Sequence, residues 1–137
     1  MKLSVDVLTP QSKIFSGEAD EVLVPTVNGQ LGILPNHVAL LTQILPGELE
    51  IKTGGKSQFV AIMGGYLEVG NNKVNILGDY AVRAEDIEIA KVEQAKAKAE
   101  KMKQEKVSLE DIAGIEADLR RSILELKVAQ RRRSPRN

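Results

Sequence analysis

The chain has 137 residues, 19 basic and 19 acidic side chains, and no cysteine. That length holds one or two small domains, balanced charge argues against a nucleic-acid protein, and the lack of cysteine excludes disulfides and thiolate chemistry, as in a reducing cytosol. The N-terminus lacks the apolar core of a signal peptide, and no run reaches the roughly 18 apolar residues of a membrane span, so membrane association is expected only through a partner.

Leu3, Val5 and Val7 alternate with Ser4 and Asp6, the period of a half-buried strand, which Thr9-Pro10 ends. Ile14-Phe15 is a short apolar pair closed by Ser16-Gly17. Glu21 to Val24 predicts a strand stopped by Pro25. The stretch from Asn28 to Leu49 organises the rest. Asn28-Gly29 is a hairpin dipeptide, because both residues tolerate positive φ. Pro35-Asn36 and Pro46-Gly47 are two further turn signals. Between them Leu31, Ile33, Leu34, Val38, Leu40 and Leu41 are apolar enough to be buried. This reads as a folded-over core segment that presents turns at one end of a domain.

Glu48 to Lys52 alternates and predicts a strand with one wet face. Thr53 to Lys56 is a hairpin turn. Gln58 to Met63 predicts a strand buried on both faces, and Gly64-Gly65 allows a bulge or close backbone approach. Tyr66 to Val69 and Lys73 to Leu77 are strands around a turn at Gly70 to Asn72. Many short strands with frequent turns predict an all-β sandwich or barrel over residues 1–84.

After Arg83 glycine and proline nearly vanish, and helix formers take over. Helix one is predicted from Asp86 to Lys106, with negative charge at its start and a thin apolar side of Ile87, Ala90, Ala95, Ala99 and Met102. Ser108 to Asp111 resembles a capping box, opening a second helix that runs to Arg133. Its seam is Ile112, Ile115, Leu119, Ile123, Leu126 and Ala129. Residues 85–137 therefore read as an antiparallel helical hairpin.

Catalytic motifs are scarce. Gly55-Lys56-Ser57 matches the end of a P-loop, but Glu50 stands where the first glycine belongs and a strand follows. His37 is the only histidine, so no zinc site is expected. It reads as a turn histidine bonding nearby backbone. Arg131, Arg132, Arg133 and Arg136 make a basic tail. Residues 85–137 hold no aromatic side chain on which bases would stack, so a solvated helix end is the plainer reading.

The run Gly29-x-x-Gly32-Ile33-Leu34-Pro35-x-His37-x-x-Leu40-Leu41-Thr42, leading into Pro46-Gly47-Glu48-Leu49, resembles the N-terminal domain of F-type ATP synthase epsilon subunits. So do Val7 to Pro10, Phe15-Ser16-Gly17 and Ala61 to Val69. Over residues 85–137 the resemblance rests on helical pattern. It implies a ten-stranded sandwich followed by the hairpin. It implies a non-catalytic subunit, peripheral on the cytoplasmic face of a bacterial plasma membrane. Such a subunit joins the gamma subunit to the ring of c subunits and restrains ATP hydrolysis through the hairpin.

The resemblance places Asn28, Gly29, Gln30, Leu31, Pro35, Asn36 and His37 at the c-ring and gamma interface. It sets Arg120, Arg121, Arg131, Arg132 and Arg133 against acidic segments of the alpha and beta catalytic subunits. Some relatives bind ATP at a motif that falls here on Ile87 to Val92, and on helix-two arginines. Glu88, Lys91 and Arg121 are the nucleotide candidates, but Lys91 replaces an arginine and Glu125 occupies another arginine position. Both are expected on the inner faces of their helices. ATP is therefore expected to bind weakly or not at all, with no other cofactor and no metal. The alternative is a free-standing sandwich adaptor that dimerises through its hairpin.

Overall fold

Leu3, Val5 and Val7 are fully buried, as their alternation requires. They belong to β1 (Leu3–Leu8), which pairs antiparallel with β2 (Lys13–Ala19) and parallel with β7 (Lys73–Gly78). A computed structural model describes residues 1–105 and 108–132 of the chain. The chain divides into two compact units, Met1–Arg83 and Ala84–Asn137.

The first unit is a β-sandwich. Its remaining strands are β3 (Glu21–Thr26), β4 (Gly29–Ile33), β5 (Leu40–Thr53), β6 (Lys56–Gly70) and β8 (Ala81–Arg83). The ladder runs β2-β1-β7-β6-β5-β3-β4, with β8 also on β6. Eight strands stand where the resemblance implies ten. The difference lies in β5 and β6, which pair with each other along nearly their whole length. Near Gly64 and Gly65, β6 exchanges one neighbour for another: Val60 to Ile62 pair with β8, Gly65 to Gly70 with β7. β6 thus has a different neighbour in each half, and counting the halves of β5 and β6 separately restores ten. The core is a continuous aliphatic cluster running from Leu3 to Ala81.

Three turns follow glycine and asparagine chemistry. Gly54 and Gly55, both at positive φ, close the β5–β6 hairpin, so Gly55-Lys56-Ser57 is no phosphate loop. Asn71 and Asn72, with φ of 52° and 60°, close β6–β7. At the β3–β4 hairpin the loop is Val27-Asn28, and only Gly29 has positive φ, 99°. The Asn28-Gly29 turn is thus shifted by one residue.

Other expectations are corrected. Pro25 does not stop β3, and Pro46-Gly47 is not a turn. Both prolines lie where the β3–β5 register slips, between Leu23 and Thr26. A bulge tolerates proline because the ladder there asks for no N–H. A Cβ on Gly47 would lie 2.9 Å from the Pro25 ring, so the glycine makes room for the proline. Over Leu49 to Ile51 the second face of β5 is not wet. Leu49, Glu50 and Ile51 are all buried, Phe59 is buried opposite Glu50, and Ser57 donates to the Glu50 carboxylate at 2.6 Å. A buried carboxylate needs such a donor.

The second unit opens with a single 3-10 turn, Ala84–Asp86. The backbone extends at Glu88, so α1 (Ile89–Gln104) starts three residues later than predicted. Helix α2 (Leu109–Ala129) is capped by Ser108, whose hydroxyl accepts the Asp111 N–H at 3.2 Å. A 3-10 turn, Gln130–Arg132, follows. The predicted helix ends at Lys106 and Arg133 lie outside the described residues.

Only Ala99 is buried on α1, while Ala90 and Ala95 are exposed. The half-buried positions are Ile89, Val92 and Lys96, a stripe that Ala99 continues and that leaves Ala90 and Ala95 outside. On α2 the buried residues are Ile115, Ser122, Glu125, Val128 and Ala129, and Ile123 is exposed. The predicted seam therefore rotates toward Ser122 and Glu125 in the helix's second half.

Candidate functional site

The two turn segments singled out in the sequence sit at opposite ends of β4. Asn28, Gly29 and Gln30 are exposed around the β3–β4 tip, and Leu31 is half-buried against the core. The tip is braced by Thr26. Its hydroxyl donates to the Gly29 carbonyl at 2.7 Å and accepts the Asn28 N–H at 3.2 Å. Val27 N–H reaches the Gln43 carbonyl of β5 at 3.1 Å.

Beyond β4, Leu34-Pro35-Asn36-His37 forms a turn closed by His37 N–H to the Leu34 carbonyl at 3.1 Å, with Asn36 at φ 68°. Proline followed by a residue at positive φ is type II turn chemistry. The Asn36 N–H donates to the Asn72 side chain at 2.5 Å, tying this turn to the β6–β7 turn. His37 Nδ1 lies 2.7 Å from the Val38 carbonyl, the local backbone bond expected of a turn histidine.

Burial of the apolar residues here is only partly as expected. Ile33 is buried, and Leu31 and Leu40 pack on the core. Leu34, Val38 and Leu41 are exposed. Leu41 belongs to a larger feature. Along the first half of β5, Leu41, Gln43 and Leu45 face out while Ile44 faces the core. Gln43 is registered with Tyr66, Tyr66 with Leu77, and Leu77 with Leu8. Leu41 is 71% exposed, Tyr66 57%, Leu77 52% and Leu45 44%. Cross-strand neighbours at such register share one surface, so Tyr66 and Leu77 lie in one row with Gln43, and Leu41, opposite Glu68 in the next row, and Leu45 flank it on β5 to give an apolar lane on the outer face of the sheet.

The neighbouring lane is polar and largely self-satisfied. Asn75 donates to Glu68 at 3.2 Å, and Ser16 donates to Asp6 at 2.6 Å. Exposed apolar patches of this kind mark interaction sites. Sequence reasoning missed Tyr66, Leu77 and Leu45. The signal was present in the outward positions of strands already predicted, but facing direction needs the register.

The nucleotide candidates are not gathered. Lys91 is 76% exposed and pairs at 3.0 Å with Glu88, the residue just before its helix. It is therefore not on an inner face. Glu125 is buried, as expected, and Arg121 Nε lies 3.6 Å from its carboxylate. Arg121 also reaches Asp118 at 3.9 Å. Arg120 and Arg131 are exposed. The side chain of Arg132 and the whole of Arg133 lie outside the described residues. Among the described residues no cluster of histidine and carboxylates has the makings of a metal site. No described helix is long and apolar enough to cross a membrane.

Residues 2–84 match the family model for the ATP synthase delta/epsilon chain, beta-sandwich domain. Over 134 residues the chain is 42% identical to the ATP synthase epsilon chain of Herpetosiphon aurantiacus, covering 98% of both chains. The chain belongs to the ATP synthase epsilon-chain family. A second epsilon chain, from Janthinobacterium sp. (strain Marseille), is 42% identical over 136 residues, covering 98% of this chain and 97% of the relative.

The same fold occurs in a chain of the Euglena gracilis mitochondrial ATP synthase OSCP/F1/c-ring structure. It has a TM-score of 0.65 at 23% identity, covering 94% of this chain and 78% of that one. A chain of the Tetrahymena thermophila central stalk/c-ring structure gives 0.63 at 18%, covering 94% and 97%. Epsilon chains are non-catalytic members of the synthase. The scarcity of catalytic motifs in this epsilon-family sequence is consistent with that.

Proposed function

We propose that this epsilon-family chain is a central-stalk subunit of a proton-translocating F-type ATP synthase, joining the gamma subunit to the c-ring. It sits peripherally at the cytoplasmic face of a bacterial plasma membrane, held there by the complex. The observation that carries this reading is the apolar lane of Leu41, Leu45, Tyr66 and Leu77. A stalk component transmits torque through a firm subunit contact, and a rigid sheet with a built-in apolar lane suits that task. We assign the lane to the gamma subunit. The exposed β3–β4 tip at Asn28 to Gln30 and the turn at Pro35 to His37 are left for the c-ring.

The hairpin acts as the regulatory arm. Its first helix buries little apolar surface, so leaving its resting place costs little. Arg120 and Arg131 give it basic side chains for acidic segments of the alpha and beta subunits. ATP is not held at micromolar concentration, because Lys91 and Arg121 already neutralise carboxylates within four residues of them. Calorimetry on the full chain measures this directly, and micromolar affinity refutes it.

The lane is tested by co-purification with a gamma subunit. Tyr66→Glu and Leu77→Glu introduce charge on an exposed face, so the sandwich keeps its thermal transition while capture of gamma falls sharply. Undiminished capture by both variants removes the assignment. Light scattering checks the adaptor reading: a monomer is expected, and a tight homodimer through the hairpin supports the adaptor instead.

A further inference from the structure

The β3–β4 tip combines two features that no other asparagine of the described residues shares. The Asn28 side chain is exposed and makes no hydrogen bond among the described residues. The next residue is Gly29, and nothing lies within 4 Å of where its Cβ would be. Intramolecular attack by a backbone nitrogen on an asparagine side chain is limited by the bulk of the following residue and by how tightly the amide is held. Both limits are weakest at Asn28.

The other asparagines among the described residues are each protected in some way. Asn72 accepts the Asn36 N–H, and its own amide donates toward Met1 Sδ at 3.1 Å. Asn75 donates to Glu68. Asn36 and Asn71 are exposed but are followed by His37 and Asn72, whose side chains crowd the attacking nitrogen.

We propose that Asn28 is a spontaneous deamidation site that converts the tip from neutral to acidic as the protein ages. The Gly29 backbone nitrogen attacks Asn28 Cγ, forming an N–Cγ bond. The Cγ–Nδ2 bond breaks, and the former Gly29 amide proton leaves with the side-chain nitrogen as ammonia. Solvent water then opens the cyclic imide at either carbonyl. One opening gives aspartate. The other gives isoaspartate, which routes the backbone through the former side chain and lengthens it by one methylene. Either product places a carboxylate on the tip, and the second also disturbs the Thr26–Gly29 closure of a two-residue loop. This inference does not depend on which partner the tip meets.

Incubating the folded full-length chain in mildly alkaline buffer and mapping its peptides by mass spectrometry tests it. The expected result is an amide-to-acid mass shift at Asn28 well ahead of Asn36, Asn71, Asn72 and Asn75. An isoaspartate-specific methyltransferase should label the same peptide. Asn28→Gln, which would have to close a larger ring, should abolish the shift and leave the tip folded. Conversion of Asn28 no faster than of the other asparagines overturns the proposal. So does conversion that appears only after denaturation, because the hairpin would then be protecting the residue.

Discussion

At Gly65 the chain has no room for any side chain. A Cβ there would lie 2.0 Å from the Leu77 carbonyl oxygen, and φ is 137°. The obstacle is backbone of the paired strand, which cannot step aside. Gly65→Ala is expected to destabilise the sandwich by about 3 kcal/mol or more, read as a lowered urea midpoint at unchanged slope. The fold alters the titration of Asp20. Lys2 donates to its carboxylate, and so does Gly54 N–H, at 2.8 Å. Lys2 first and Gly54 second hold its carboxyl below the usual range. A depressed folded pKa gives stability above the unfolded value that is lost as pH falls through the folded one. Acid melts should therefore show a small loss beginning below about pH 4, and Asp20→Asn should flatten that limb. The effect is small because both ionic partners are exposed.

At the scale of elements, legibility followed the strength of local pattern. β1, the β5–β6 hairpin and the β6–β7 hairpin were readable because alternation and turn residues agree. β4 was not read as a strand. Its sequence, Gly29-Gln-Leu-Gly-Ile33, has two glycines and owes its conformation to pairing with β3. Prolines misled at Pro25 and Pro46 because a bulge removed the demand for their missing N–H. Leu34, Val38 and Leu41 misled because apolar character predicts burial somewhere, and an interface also satisfies it. The lane and the placement of Lys91 required register and exposure, which one sequence does not contain. The α2 cap was readable, and it yields a test. Ser108→Ala removes the acceptor for Asp111 N–H and should cost the hairpin about 1 kcal/mol. Gly114→Ala should act oppositely by up to about 1 kcal/mol, since nothing lies within 4 Å of its Cβ position. Amide exchange in α2 reports both, and equal protection in the two variants contradicts the capping argument.

Across the whole molecule the two units differ in how they are held together. Every member of the continuous aliphatic core, Leu3 to Ala81, precedes Arg83. Among the described residues the second unit buries far less: Ala84 and Ile87 ahead of α1, Ala99 on α1, and Ile115, Val128 and Ala129 as the apolar residues of α2. Helices of this length gain most of their stability from packing an apolar face, and here that face is narrow. The expected consequence is asymmetric independence. A chain ending at Arg83 should unfold in one cooperative thermal transition and keep the gamma contact proposed for it, because the apolar lane lies wholly within it. Residues 84–137 alone should show partial helicity that rises on dilution into a helix-promoting solvent and melts without a sharp midpoint. That difference suits the regulatory arm proposed for the hairpin, with the sandwich as its rigid base. Calorimetry on the two fragments decides the matter. A non-cooperative melt of the first fragment would mean that residues after Arg83 complete its core. A sharp melt of the second would mean that the hairpin is a stable domain in its own right and that its release costs more than a weakly packed arm allows.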